Sequence, residues 1–97
     1  MIFMALNFPN PSRSYDQSAQ RIRFWGHDSA MEVSFFLEED AIFILRPNTK
    51  YTEEAILAAF DDAKERIFAV AAKVYTPRRH RSFYTLTGDQ FSRVAIA

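Results

Sequence analysis

His27 and Asp28 stand side by side, and an aspartate beside an imidazole is an arrangement that general-base chemistry uses. Neighbours in a tight turn point apart, however, and an aspartate there more often accepts from a turn amide, which is the preferred reading of Asp28. Tyr15 and Asp16 lie in the polar stretch Ser12 to Ala19, which reads as a connecting loop. Together with His27 they are the residues on which an enzyme would be built, if a concave pocket joined them. His27 and His80 are far apart in the chain and there are no cysteines, so convergent metal donors are lacking and no metal is expected. Glu38-Glu39-Asp40 has the composition of a cation site, but three acids ahead of an apolar run fit a solvated helix N-terminus. Gly26 and Gly88 are the only glycines, so a backbone cradle for phosphate is hard to build, and no nucleophile-elbow or paired-histidine zinc motif is present. The expectation is a protein that is not an enzyme and takes no cofactor.

Two other groups concern binding. Arg78, Arg79, His80 and Arg81 are followed by Phe83 and Tyr84, and clustered cations beside aromatics can hold phosphates and stack a base. Arg78, Arg79, Arg81 and Tyr84 are therefore the candidate nucleic-acid residues, although cations just past a helix C-terminus also complement its dipole. The second group depends on strand periodicity. In Arg21 to Glu38, Ile22 and Phe24 alternate with Arg21, Arg23 and Trp25, while Met31, Val33, Phe35 and Leu37 alternate with Glu32, Ser34, Phe36 and Glu38. Period two gives one apolar face and one outward face. Trp25 and Phe36 fall on the outward face among Arg21, Arg23, Glu32 and Glu38, where a solvated face would be polar throughout. Aromatics mixed with charges of both signs mark a protein interface, with Arg23, Trp25, Glu32 and Phe36 as its candidate residues. The alternative is that a terminal segment or connecting loop covers them as a second small core.

The elements that position these groups follow from local pattern. Folding the hairpin about His27-Asp28 sets Phe24 opposite Met31, Ile22 opposite Val33 and Arg23 opposite Glu32, so that apolar meets apolar and opposite charges meet. A one-residue slip would expose the apolar set. Ile2, Met4, Leu6 and Phe8 make a first strand that stops at Pro9. Glu38 to Pro47 reads as a short helix, against the β-branched pull of Ile42-Phe43-Ile44. Thr52 to about Tyr75 is a long helix capped by Thr52, with Tyr51 placed to staple onto Ile56. Its stripe of Ile56, Phe60, Ala63, Ile67, Val70 and Val74 is wide enough to need a sheet as partner, and Asp62 can pair with Arg66 on the other side. Ser82 to Leu86 is a last strand, and Thr87 to Gln90 is a capping-box pattern opening a turn that runs to Val94. The fold class is α+β, two layers, with a mostly antiparallel sheet packed on one long helix in the order β-β-β-α-α-β-α.

With 97 residues the chain makes a single domain, and at this length roughly 65% of the unfolded surface is buried, enough for a core without staples. Net charge is zero but unevenly spread. Lys and Arg against Asp and Glu number 3 to 1 over residues 1–27, 3 to 10 over 28–65 and 6 to 1 over 66–97. Internal pairing of the basic ends with the acidic middle is favoured over an external polyanion. The opening MIFMALNF lacks a signal peptide's basic region and cleavage site, and no apolar run approaches a membrane span, so the expected location is cytoplasmic. Met1 and Met4 both qualify as the native start.

FWGHDSAMEVSFFLEEDAI, AAFDDAKERIFAVAAKVY and SFYTLTGDQF, spread between about Ala5 and Phe91, resemble a family of small bacterial proteins catalogued as a domain of unknown function. The resemblance implies a small, stand-alone bacterial α+β protein and carries no activity, cofactor or site residue. Ile42 to Leu45 is more β-prone than the family's helical pattern. The function expected from the residues is a non-enzymatic interaction module, acting as a homodimer or on a protein partner. Nucleic-acid binding or transcription regulation through residues 78–81 is the alternative.

Overall fold

The computed structural model describes residues 6–76 and 83–92. The order is β1 (Leu6–Asn7), β2 (Arg13–Asp16), β3 (Arg21–Asp28), β4 (Met31–Glu38), α1 (Glu39–Leu45), α2 (Glu53–Val74), β5 (Phe83–Leu86) and a closing 3₁₀ turn, Gly88–Phe91. Both β1 and β2 pair antiparallel with β3, β1 at its C-terminal end and β2 nearer its start. β4 is antiparallel to β3, and β5 returns parallel to β4 after the two helices. The protein is therefore α+β with a mostly antiparallel sheet, as the periodicities require.

One face of the sheet supplies Ile22, Phe24, Val33, Phe35, Leu37, Tyr84 and Leu86 to the core, and α2 covers it with Ile56, Phe60, Ile67 and Ala71. The Thr52 hydroxyl caps α2, accepting from the Ala55 N–H at 3.1 Å. Phenylalanines fill the space between the layers: Phe24 stacks on Phe35 at 5.3 Å, Phe60 tilts against Phe24, and Phe8 stacks on Phe68 at 4.1 Å. Gly26 occurs where a side chain would be overcrowded. A Cβ there would lie 2.9 Å from Leu6 Cδ1, 3.0 Å from Phe8 Cε1 and 3.1 Å from Phe35 Cε2.

Several expectations are corrected. The hairpin turns at Ser29-Ala30, with Ser29 at φ 57°, so Phe24 faces Phe35, Ile22 faces Leu37 and Arg23 faces Phe36. Phe24's partner moves by four positions, an even number, so every side chain keeps its expected face. The longer pairing lets all eight residues of each strand join the ladder. Residues 13–16 form a strand, not part of a loop. Arg13 and Tyr15, the two side chains directed at the helices, are polar and find carboxylate partners at Asp61 and Glu39. Glu39 is no solvated helix-end acid, being only 9% exposed. The chain thus gains a strand over the expected order, and the closing element is a 3₁₀ turn ending at Phe91. Residues 1–5, where the first strand is expected to begin, and 93–97 lie outside the described residues.

The short helix α1 forms despite its β-branched run because Ala41 and Ile42 are fully buried on one side while the Glu39 N–H donates to the Gln20 carbonyl at 3.0 Å. Tyr51 sets its ring edge-on to Phe43, 5.9 Å away, and sends its hydroxyl to Glu39. Asp62 meets Arg46 at 4.0 Å, and Arg66 donates to the Phe91 carbonyl instead of pairing with Asp62. Arg13 to Asp61, at 2.8 Å, and His27 to Glu32, at 3.7 Å, each join the basic first third to the acidic middle. No described helix is long and apolar enough to cross a membrane.

Candidate interaction surface

The β3–β4 register sets the outward side chains in four level pairs: Arg21 with Glu38, Arg23 with Phe36, Trp25 with Ser34 and His27 with Glu32. On β5, Phe83 and Thr85 extend the same face beside Ser34 and Phe36. The Arg21 guanidinium lies over the Phe36 ring, 3.8 Å from its centroid. Arg23 lies 5.0 Å over Trp25 and 5.7 Å from Phe36, and its Nη2 donates to Ser34 Oγ at 3.0 Å. Phe83, half exposed, meets Phe36 edge-on at 5.4 Å. The result is a layer of alternating guanidinium and aromatic planes across three strands.

This layer leaves Trp25 and Phe36 half-buried. Among the described residues Arg21, Arg23 and Phe83 contact them on this face, and no described element crosses over them. The helix α2 is on the opposite face, and the closing 3₁₀ turn packs against α1. The smallest principal extent of the molecule is 21 Å, the thickness of one sheet plus one helix layer at about 10 Å each. Among the described residues neither Arg21 nor Arg23 forms an ion pair with a carboxylate, and Arg21 Nε is buried without a hydrogen-bond partner. Glu32, expected opposite Arg23, pairs with His27 instead. Of the candidate interface residues, Arg23, Trp25 and Phe36 are thus in mutual contact, and Glu32 sits at the far end of the same face.

Of the nucleic-acid candidates, Arg78, Arg79 and Arg81 lie outside the described residues. Tyr84 is a core residue, 5% exposed, stacked on Phe35 at 5.6 Å with its hydroxyl donating to the Thr76 carbonyl. Its ring is not offered to a base, because the strand parity that turns Phe83 outward turns Tyr84 inward.

Tyr15, Asp16 and His27 do not converge either. Asp16 accepts from the Ser18 N–H and hydroxyl and the Ala19 N–H, which close the β2–β3 turn and hold its carboxyl below the ordinary carboxylate value. His27 lies five positions along β3 from Ile22, the partner of Tyr15, roughly 17 Å away. Asp28 is not bound to a turn amide; it accepts from the Tyr75 hydroxyl at the end of α2. Burial first, then this hydrogen bond, pushes the Tyr75 phenol up to about 12.

A cluster that the sequence reading missed surrounds Glu39. Tyr15 donates to its Oε1 at 2.6 Å, Tyr51 to its Oε2 at 2.8 Å, and the Gln20 amide reaches Oε2 at 3.4 Å. Burial and the Glu39 carboxylate hold the Tyr15 phenol well above its ordinary value. Nothing in the sequence pairs these residues, which come from β2, the β2–β3 turn, α1 and the α1–α2 loop. A concavity of about 480 Å³ at the α1–α2 loop is lined by Leu45, Arg46, Lys50, Ala55 and Asp62, and none of the residues singled out from the sequence as catalytic or binding candidates lines it. Among the described residues no group of three or more histidines and acids is placed to hold a metal ion.

Residues 6–87 match the family described as "Protein of unknown function (DUF1488)", and the chain belongs to this family. The fold is similar to the crystal structure, at 1.60 Å resolution, of a protein of unknown function from the DUF1488 family of Shewanella loihica PV-4. The TM-score is 0.73 at 13% identity, over 89% of this chain and 96% of that one. No curated protein matches.

Proposed function

We propose that this DUF1488 protein is a non-catalytic interaction module that works as a homodimer through the outward face of β3, β4 and β5. The observation that carries the reading is the pair of arginines stacked on Phe36 and Trp25, on a face that no described element covers. A monomeric globule commonly surrounds exposed arginines with water or carboxylates. Here they are spread over aromatic planes with no ion pair among the described residues, a composition suited to being buried against another protein. The same stacking disfavours base recognition, because Arg21 already occupies one face of Phe36 and Arg23 lies over Trp25.

Trp25→Ala tests the reading. The expected result is weakened association, read by sedimentation equilibrium, with an unchanged far-ultraviolet circular dichroism spectrum. If the variant monomer unfolds, Trp25 is a core residue and the reading fails. Nucleic-acid binding through residues 78–81 would instead give oligonucleotide binding that falls steeply with added salt.

A further inference from the structure

A homodimer through this face, on which the inference rests, needs a symmetry axis that brings complementary side chains together. We infer that the copies pack face to face about a two-fold axis running parallel to β3 and β4, between the two strands, so that β3 of each copy lies over β4 of the other. The argument comes from the strand register. At four successive outward levels β3 presents Arg21, Arg23, Trp25 and His27, and at the same levels β4 presents Glu38, Phe36, Ser34 and Glu32. A two-fold along the strands exchanges β3 with β4 and keeps each level. Arg21 then meets Glu38 of the second copy, Arg23 meets its Phe36, Trp25 its Ser34 and His27 its Glu32. Each contact occurs twice, as an isologous interface requires.

The competing two-fold runs across the strands through the centre of the face. It lays β3 on β3 and β4 on β4 with the levels inverted. Arg21 would meet His27, and Glu38 would meet Glu32, so the acids would face each other. Like charges brought together out of water oppose association, whereas the axis along the strands opposes Glu38 with Arg21 and Glu32 with His27. A guanidinium stacked flat on an aromatic ring still directs its N–H donors outward in its own plane, where a carboxylate can take two of them. Arg21 is placed for this role: its guanidinium is held 3.8 Å over the Phe36 ring, at the level of Glu38. Aligned packing of two sheets, about 30° off parallel once their twist is included, accommodates this arrangement.

Complementary charge reversal tests the inference by sedimentation equilibrium at low salt. Arg21→Glu alone and Glu38→Arg alone are each expected to raise the dimer dissociation constant at least about tenfold. An equimolar mixture of the two variants restores association as a heterodimer, because each copy then supplies the opposite charge at both contacts. Glu38 is the N-cap of α1, so the exchange is repeated at the far end of the face with His27→Glu and Glu32→Lys, neither of which caps a helix. Dimers lost in the single variants and regained on mixing support the axis. Dimers that withstand all four reversals, or that are lost and not regained on mixing, overturn the axis while leaving self-association through this face intact. A wild-type chain that is monomeric at every concentration overturns both.

Discussion

A carboxylate as deeply buried as Glu39 has to be satisfied by its neighbours, and it is satisfied by phenols, not by a cation. Tyr15→Phe leaves Oε1 without its donor and is expected to lower stability by about 1–3 kcal/mol in urea unfolding. Tyr51→Phe should cost less, because Tyr51 is 62% exposed and water can reach the oxygen it leaves. Tyr75 gives a pH dependence of definite sign. Its folded phenol lies at about 12 against an ordinary value of 10.0, so the neutral form is favoured in the fold. The resulting stability is fully present below pH 10 and is lost as pH rises toward 12. Tyr15 is shifted in the same direction. Thermal melts across this range check the loss, and Tyr75→Phe should flatten it. Which face each hairpin residue takes was readable from alternation alone. The Glu39 cluster was not, because its members carry no local pattern and meet only when β2, α1 and the α1–α2 loop have docked.

Strands β3 and β4 show what periodicity can and cannot specify at the scale of elements. Alternation determined the faces of Ile22, Phe24, Val33, Phe35 and Leu37, but several even-numbered registers satisfy it, and the position of the turn chooses among them. With the turn at Ser29-Ala30, Gly26 falls on the inner face against Val33 and beneath Leu6, Phe8 and Phe35. Gly26→Ala should therefore destabilise by about 1–3 kcal/mol through crowding, measured by denaturant midpoint. The α2 stripe was readable because it is long and strongly periodic, and Phe60→Ala or Ile67→Ala should cost about 2–5 kcal/mol. β2 escaped notice because its inner positions are Arg13 and Tyr15, polar residues that announce a loop. Arg13 ties β2 to α2 by two bonds to Asp61, at 2.9 and 2.8 Å, and these hold the Asp61 carboxyl below its ordinary value. The stability from this pair is present above the unfolded value of 3.8 and is lost as pH falls through the lower folded one. Since the pair is well exposed, its contribution is at most about 1 kcal/mol.

At the scale of the whole molecule, a sheet covered on one side by helices leaves the other side to be explained by its composition. That Trp25 and Phe36 face outward was readable from the sequence. That Arg21 and Arg23 lie across them, with Phe83 alongside, required the register and the return of β5 next to β4. Self-association through this face is measured most directly by sedimentation equilibrium of the wild-type chain beside Trp25→Ala, with circular dichroism on both. The expected result is a wild-type dimer and a folded Trp25→Ala chain shifted toward monomer. A wild-type monomer throughout, or a Trp25→Ala chain that associates as well as the wild type, would contradict it.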